Sequence, residues 1–227
     1  AAWFDEIELT RVDVSTAQAI QAAGTQDDPL VLHLPFDTGV QDLSARRGLN
    51  APIAALSGTQ ASDLIADDPQ RGRALVLDGL DDFVEVPHSH VEDVLSPSEM
   101  TIALWLKAER PGPALIVGKM AGAGDHVRGW RLDLTAEGRL RFAVAVGGAM
   151  EPAAEAPVPL GQWVQVAAVR DAGGTMTVFV DGQPGASVTR PGAYLPADRA
   201  LYVGADYGAS HFLAGRVDDL RIYRRAL

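Results

Sequence analysis

The sequence predicts an all-β fold, an antiparallel sandwich of two sheets, on three observations. After a first segment at 30–36, short segments rich in Val, Leu and aromatic residues recur from residue 74 onward at intervals of roughly 8–20 residues. Between them lies turn chemistry, with 23 glycines and 14 prolines spread along the 227 residues. After Gly72 no 3.6-residue hydrophobic period is sustained for about 12 residues, which argues against alternating helices and strands.

Taken in order, residues 1–14 (AAWFDEIELTRVDV) alternate like a strand, with Trp3, Asp5, Ile7 and Leu9 against Phe4, Glu6, Glu8 and Thr10. Residues 15–28 are small, polar and alanine-rich. They read as a linker or as one short helix capped by Ser15. Residues 29–227 form the expected sandwich domain. Its strands are expected at 30–36, 74–79, 82–87, 100–108, 114–120, 129–135, 139–146, 163–170, 175–182, 200–207 and 215–223. Residues 37–72 are weakly patterned. They read as loop with short strands, and ASDLIADD is open to a helical turn. Asp171–Gly174, Asp181–Gly182 and Ala136–Gly138 supply hairpin-type turns.

Composition bounds the partners. Hydrophobic residues make up 47%, enough for a sizeable core. The formal charge of −11 repels phosphate backbones and anionic membranes, so nucleic acid is not an expected partner. Clustered carboxylates suit a hard cation such as calcium; acidity that serves only solubility is the alternative. There are no cysteines, so disulfides and thiolate metal sites are excluded. No apolar run approaches the ~20 residues that span a bilayer, so membrane insertion is not expected. The chain opens on Ala1 and is expected to be a processed or excised piece of a longer protein. G-x-S-x-G, H-E-x-x-H, the phosphate-binding G-x-x-x-x-G-K-[ST] and G-x-G-x-x-G before a helix are all absent.

Several segments carry a resemblance when read in order. They are LVLHLPFDTG at 30–39, ALVLDGLDDFVEVP at 74–87, MTIALWLKA with Trp105, LGQWVQVAAVRD at 160–171 and TVFVDGQP at 177–184, then LYVGADYG and FLAGRVDDLRIYRRAL. Together they resemble the laminin-G-like jelly-roll family, within the concanavalin-A-like lectin/glucanase superfamily, over residues 29–227. Gln165 stands where that family often has His, and VQDLSARRGLNAPI replaces its usual opening turn. WFDEIEL resembles the closing strand of a carbohydrate-binding jelly roll, implying an upstream domain. The resemblance implies a jelly-roll sandwich within a multidomain bacterial protein, placed outside the cell, in the periplasm or at the cell surface. Related sandwich glycosidases carry E-x-D-x-x-E on one strand; this chain has no such pattern.

Candidate sites follow. Strand alternation is expected to turn Phe83, Trp105, Phe142, Trp163 and Phe179 to the core. Trp130 is the exception, because it follows the glycine-rich GKMAGAGDHVRG. Ligand contacts are expected from His126, Arg128 and Trp130 in one loop and from Tyr207 and His211 in another, with ordinary solvated loop chemistry as the alternative. The resemblance makes the strand after Asp78–Gly79 a neighbour of the closing strand, which carries Asp218 and Asp219. This implies a structural calcium site from Asp78, Gly79, Asp82 and Asp218. Alternatively these acids cap turns and pair with Arg216, Arg221 or Arg224. His88 and His90 form a possible zinc or copper fragment, for which solvated histidines are preferred. His33 is expected to be packed and hydrogen-bonded.

The function expected from these features is a non-catalytic binding module of a larger extracellular protein. It would recognise a glycan or a protein through loops of the sandwich. A structural or assembly domain and a polysaccharide-active enzyme on the same scaffold are the alternatives.

Overall fold

The computed structural model describes residues 29–44, 51–52, 64–91 and 99–227. The strand expected at 1–14, the linker at 15–28 and the start of ASDLIADD lie outside the described residues. In chain order the strands are β1 (Leu30–Leu34), β2 (Gln41–Asp42), β3 (Ala51–Pro52), β4 (Ile65–Asp68), β5 (Gly72–Asp78) and β6 (Val84–Val86). Next come β7 (Met100–Ala108), β8 (Ala114–Ala121), β9 (Arg128–Leu134), β10 (Arg139–Val144), β11 (Ala154–Pro157) and β12 (Val164–Arg170). The last are β13 (Thr175–Val180), β14 (Gln183–Pro184), β15 (Val188–Thr189), β16 (Leu201–Val203) and β17 (Ala214–Tyr223).

These strands build two antiparallel layers. The first sheet runs β14-β13-β12-β7-β17-β5-β4, with β1 also on β17 and β15 also on β13. The second runs β11-β10-β9-β8-β16-β6, and β2 and β3 form a two-stranded sheet. Residues 65–68 are therefore strand, not helical turn. β11 escaped the sequence reading because AEAP lacks the β-branched and aromatic residues that mark strands.

Period-2 alternation sends one face of each sheet into a shared core. Ile102, Leu104 and Leu106 of β7 and Val164, Val166 and Ala168 of β12 meet Trp130, Leu132 and Leu134 of β9 and Leu140, Phe142 and Val144 of β10. Fully burying a side chain of this kind contributes about 1.5–3 kcal/mol, so these strands carry much of the stability.

The same alternation corrects the placement of three aromatics. Trp105 sits between the inward-facing Leu104 and Leu106, so its ring lies half-buried on the outer face of the first sheet. Phe179 pairs with Ala167 while its neighbour Val178 enters the core, so it also faces outward. Trp163 precedes β12 and donates from Nε1 to Asp68 Oδ1 at 3.1 Å.

One bulge organises the centre of the first sheet. Asp218 pairs with Trp105 and Arg221 with Ala103, so β17 carries one residue more than β7 between them. Asp219 takes up the extra residue in the left-handed region, at φ 50. The shift returns Leu220 and Ile222 to the core and leaves Asp218 and Asp219 both engaged with outer-face partners.

Candidate functional site

The β5–β6, β7–β8 and β16–β17 loops meet at one end of the sandwich. Arg110 donates from Nη2 to the Gly79 carbonyl at 2.7 Å, and Leu115 N–H donates to the His211 carbonyl at 2.8 Å. The pairing of Leu201–Val203 with Val84–Val86 turns Tyr202 outward, opposite Glu85. The Phe83 ring packs against Tyr202 at 6.2 Å and 53°, and Tyr207 sets its edge on Tyr202 at 6.2 Å and 61°. Tyr207 remains 43% exposed. Gly208 permits this folding back, since a Cβ there would lie 2.6 Å from the Phe83 ring. Tyr207 and His211 both hold φ 52, a backbone region uncommon for bulky side chains.

Asp206 precedes this ring. Its Oδ2 lies 3.5 Å from His211 Nδ1, and its Oδ1 is enclosed with no hydrogen-bonding partner. Burial raises the Tyr207 phenol above its ordinary value; Asp206 adds to the rise, while Arg199 and Arg131 oppose it. Burial also raises Tyr202, helped by the charge and hydrogen bond of Glu85. The sequence reading missed Asp206, although its place in an Asp-Tyr-Gly turn beside a named loop aromatic was a usable signal.

His126 and Arg128 are exposed at the opposite end, in and just after the turn that joins β8 to β9. The eight residues of β8 separate the two groups, about 23 Å at ~3.3 Å per residue. The two expected ligand loops therefore do not form one site. Trp130 is corrected outright: it is 0% exposed and lies in the inter-sheet core, because its β9 position has the inward parity of Leu132 and Leu134.

The acidic group is also rearranged. Asp78, Asp81 and Asp82 bring ligand-capable atoms within 4.8 Å of one another. Asp78 Oδ1 accepts from Leu80 N–H at 2.7 Å, and Asp82 Oδ2 accepts from Asp78 N–H at 3.1 Å. Asp218 does not join them. Ala214 is the β17 partner of Asp78, and Asp218 lies four residues farther along the strand. The carbonyl of Gly79, expected as a ligand, is already held by Arg110. Arg216 and Arg221 pair instead with Asp68 and Asp219.

Asp218 belongs to a separate cluster on the outer face of the first sheet. Arg71 Nε donates to its Oδ2 at 2.8 Å, and the same guanidinium lies 4.3 Å from the centre of the Trp105 ring. Burial pushes Asp218 up to about 6, although the hydrogen bond and charge of Arg71 pull the other way. Beside it, Asp219 pairs with His33 Nε2 at 2.8 Å and with Arg221 at 3.1 Å, so His33 is packed and hydrogen-bonded. Asp68 is held below the usual carboxylate range: burial works upward, but the N–H groups of Gln70 and Arg71, the Trp163 indole and Arg216 outweigh it.

The histidine pair is neither a joint metal fragment nor freely solvated. His90 Nε2 meets Asp42 Oδ2 at 2.8 Å, and His88 Nδ1 meets Lys119 Nζ at 2.9 Å. Among the described residues no helix is long and apolar enough to cross a membrane.

Two antiparallel layers, an apolar core between them and loops gathered at both ends define the class of jelly-roll sandwich domains. The chain belongs to the concanavalin A-like lectin/glucanases superfamily, whose family pattern matches residues 78–227. No curated protein sequence matches it. Among solved structures it is similar to domain 4 of AbnA, a GH43 extracellular arabinanase from Geobacillus stearothermophilus, in complex with arabinotriose. The identity is 23% and the TM-score 0.62, over 88% of this chain and 94% of that one. It is also similar to the receptor binding domain of botulinum neurotoxin C/D mosaic serotype, at 13% identity and TM-score 0.64, over 88% of this chain and 48% of that one. The botulinum neurotoxin serotype G binding domain matches at 12% identity and TM-score 0.64, over 87% and 48%. The chain thus spans about half the length of these neurotoxin domains.

Proposed function

We propose that the chain is a non-catalytic binding module that recognises a glycan through loops of the sandwich. It would act beside other domains of a larger protein outside the cell, in the periplasm or at the cell surface. The observation that carries this reading is the match over nearly the whole of an arabinanase domain whose structure holds arabinotriose. The loop end supports it, because Tyr207 presents a half-exposed ring beside polar side chains. Affinity gel electrophoresis on arabinan, xylan, galactan and mixed-linkage glucan tests it. Retardation by at least one polysaccharide, without release of reducing or unsaturated ends, is expected. Chain cleavage would favour the enzyme reading instead.

A second reading, assembly with a protein partner, has its own observation. Leu80, Leu160 and Tyr207 are 70%, 40% and 43% exposed, and all three lie at the same sandwich end. A calcium role also remains a proposal, with Asp81 in place of Asp218. The three carboxylates suit the ion's oxygen preference, while Arg110 at Gly79 already supplies a positive charge beside them.

A further inference from the structure

The β16–β17 loop joins three features at one place: an exposed ring, an acceptor with unmet hydrogen-bonding capacity, and a rigid support. The Tyr207 ring is 43% exposed and is fixed from behind by Tyr202 and Phe83, so it needs no ordering to serve as a flat platform. Next to it, Asp206 has one carboxylate oxygen without a partner and the other 3.5 Å from His211 Nδ1, a long contact for a hydrogen bond. Oδ1 is enclosed while the side chain as a whole is 17% exposed, so Oδ2 is the oxygen left to meet a ligand hydroxyl.

The surroundings set the ligand chemistry. Asp206 stands beside the ring and Glu85 opposite Tyr202, while Arg131 and Arg199 also act on these phenols, so groups of both signs surround the platform. A phosphate or sulfate would meet the Asp206 carboxylate, and a lone cation would meet the arginines. A neutral sugar suits all of these groups. Its C–H face covers an aromatic ring, and its hydroxyls donate to a carboxylate and accept from guanidinium groups.

We propose that Asp206 and Tyr207, with Tyr202 behind them, form a subsite for a neutral saccharide ring bearing adjacent hydroxyls. The Tyr207 ring stacks on the sugar face, and Asp206 accepts one or two of its hydroxyls. This rests on the glycan-binding reading above and adds the position of the site and the charge class of the ligand.

The test uses the same affinity gels, with isothermal titration against the shortest oligosaccharide of the retarding polymer. Tyr207→Asn removes the ring while keeping a residue that tolerates the left-handed backbone. Asp206→Asn keeps the shape and removes the charged acceptor. Each substitution is expected to weaken binding about tenfold or more, with unchanged melting temperature, while Gln183→Ala on the exposed β14 hairpin binds like wild type. If no polysaccharide retards the wild-type protein, the glycan-binding reading fails and the subsite with it. If wild type is retarded and both variants are retarded equally, the subsite alone is overturned. Retention only of charged polysaccharides would overturn the neutral-sugar assignment.

Discussion

Arg71 donates from Nε to the carboxylate of Asp218 at 2.8 Å, across 147 residues of chain, while its guanidinium covers the Trp105 ring at 4.3 Å. The raised pKa of Asp218 gives this contact a pH signature. The native state holds the Asp218 proton more tightly than the unfolded chain does, about 6 against 3.8. Its contribution to stability is therefore full below the unfolded value and is lost as pH rises through about 6. Asp218→Asn removes that titration. Urea unfolding is expected to show the variant gaining on wild type between about pH 4 and about pH 7, by up to about 3 kcal/mol. A pH-independent difference would remove Asp218 as the source.

Removing the partner acts in the opposite sense. Arg71→Ala leaves a buried carboxylate without its guanidinium and uncovers Trp105. A loss of about 3 kcal/mol is expected near pH 7, shrinking toward pH 4 as Asp218 takes up a proton. Denaturant midpoints at the two pH values check this.

Trp130→Ala is expected to cost about 3–5 kcal/mol, because the ring is wholly enclosed between the sheets. Chemical denaturation monitored by circular dichroism measures it. A variant that folds with wild-type stability would contradict the inter-sheet placement.

Gly129→Ala tests the β8–β9 ladder. Gly129 holds φ +96, and a Cβ there would run into the carbonyl of Lys119 on the paired strand. Backbone cannot give way as a flexible side chain does, so a loss of more than about 2 kcal/mol is expected. Gly182→Ala is the comparison, since its Cβ meets open space and only its own left-handed φ opposes the change. A melting temperature for Gly129→Ala no lower than that of Gly182→Ala would contradict the close approach.

Calcium is expected to raise the melting temperature if Asp78, Asp81 and Asp82 hold it in the folded state, and a chelator to lower it. Asp81→Asn should abolish that difference and Asp218→Asn should leave it intact. Identical melting curves with calcium and with chelator would end the calcium role.

Strand MTIALWLKA illustrates what local pattern made legible: its range, 100–108, matches β7 residue for residue. The expected segments at 114–120, 129–135 and 163–170 match β8, β9 and β12 to within one residue at each end. Which face a strand buries was less legible. Alternation fixes that Trp105 opposes Leu104 and Leu106, but not which set faces the partner sheet. The glycine-rich loop before Trp130 suggests access, yet parity along β9 puts it inside. Asp206 has a local signal in its Asp-Tyr-Gly turn, but the enclosure of its carboxylate oxygen exists only once the loop around it has folded.

The sequence by itself determined the class of fold, the order of the strands and most turns. These follow from period-2 patterning and from the backbone freedom of glycine, and both are local properties of the chain. Only the tertiary structure decided which acids gather. The register of β17 on β7 set Asp218 beside Trp105 and Arg71, and the β5–β6 turn drew Asp81 toward Asp78 and Asp82. The same held for the two groups of loop residues, which β8 keeps at opposite ends. Such placements depend on register and on partners distant in sequence, so no window of neighbouring residues encodes them.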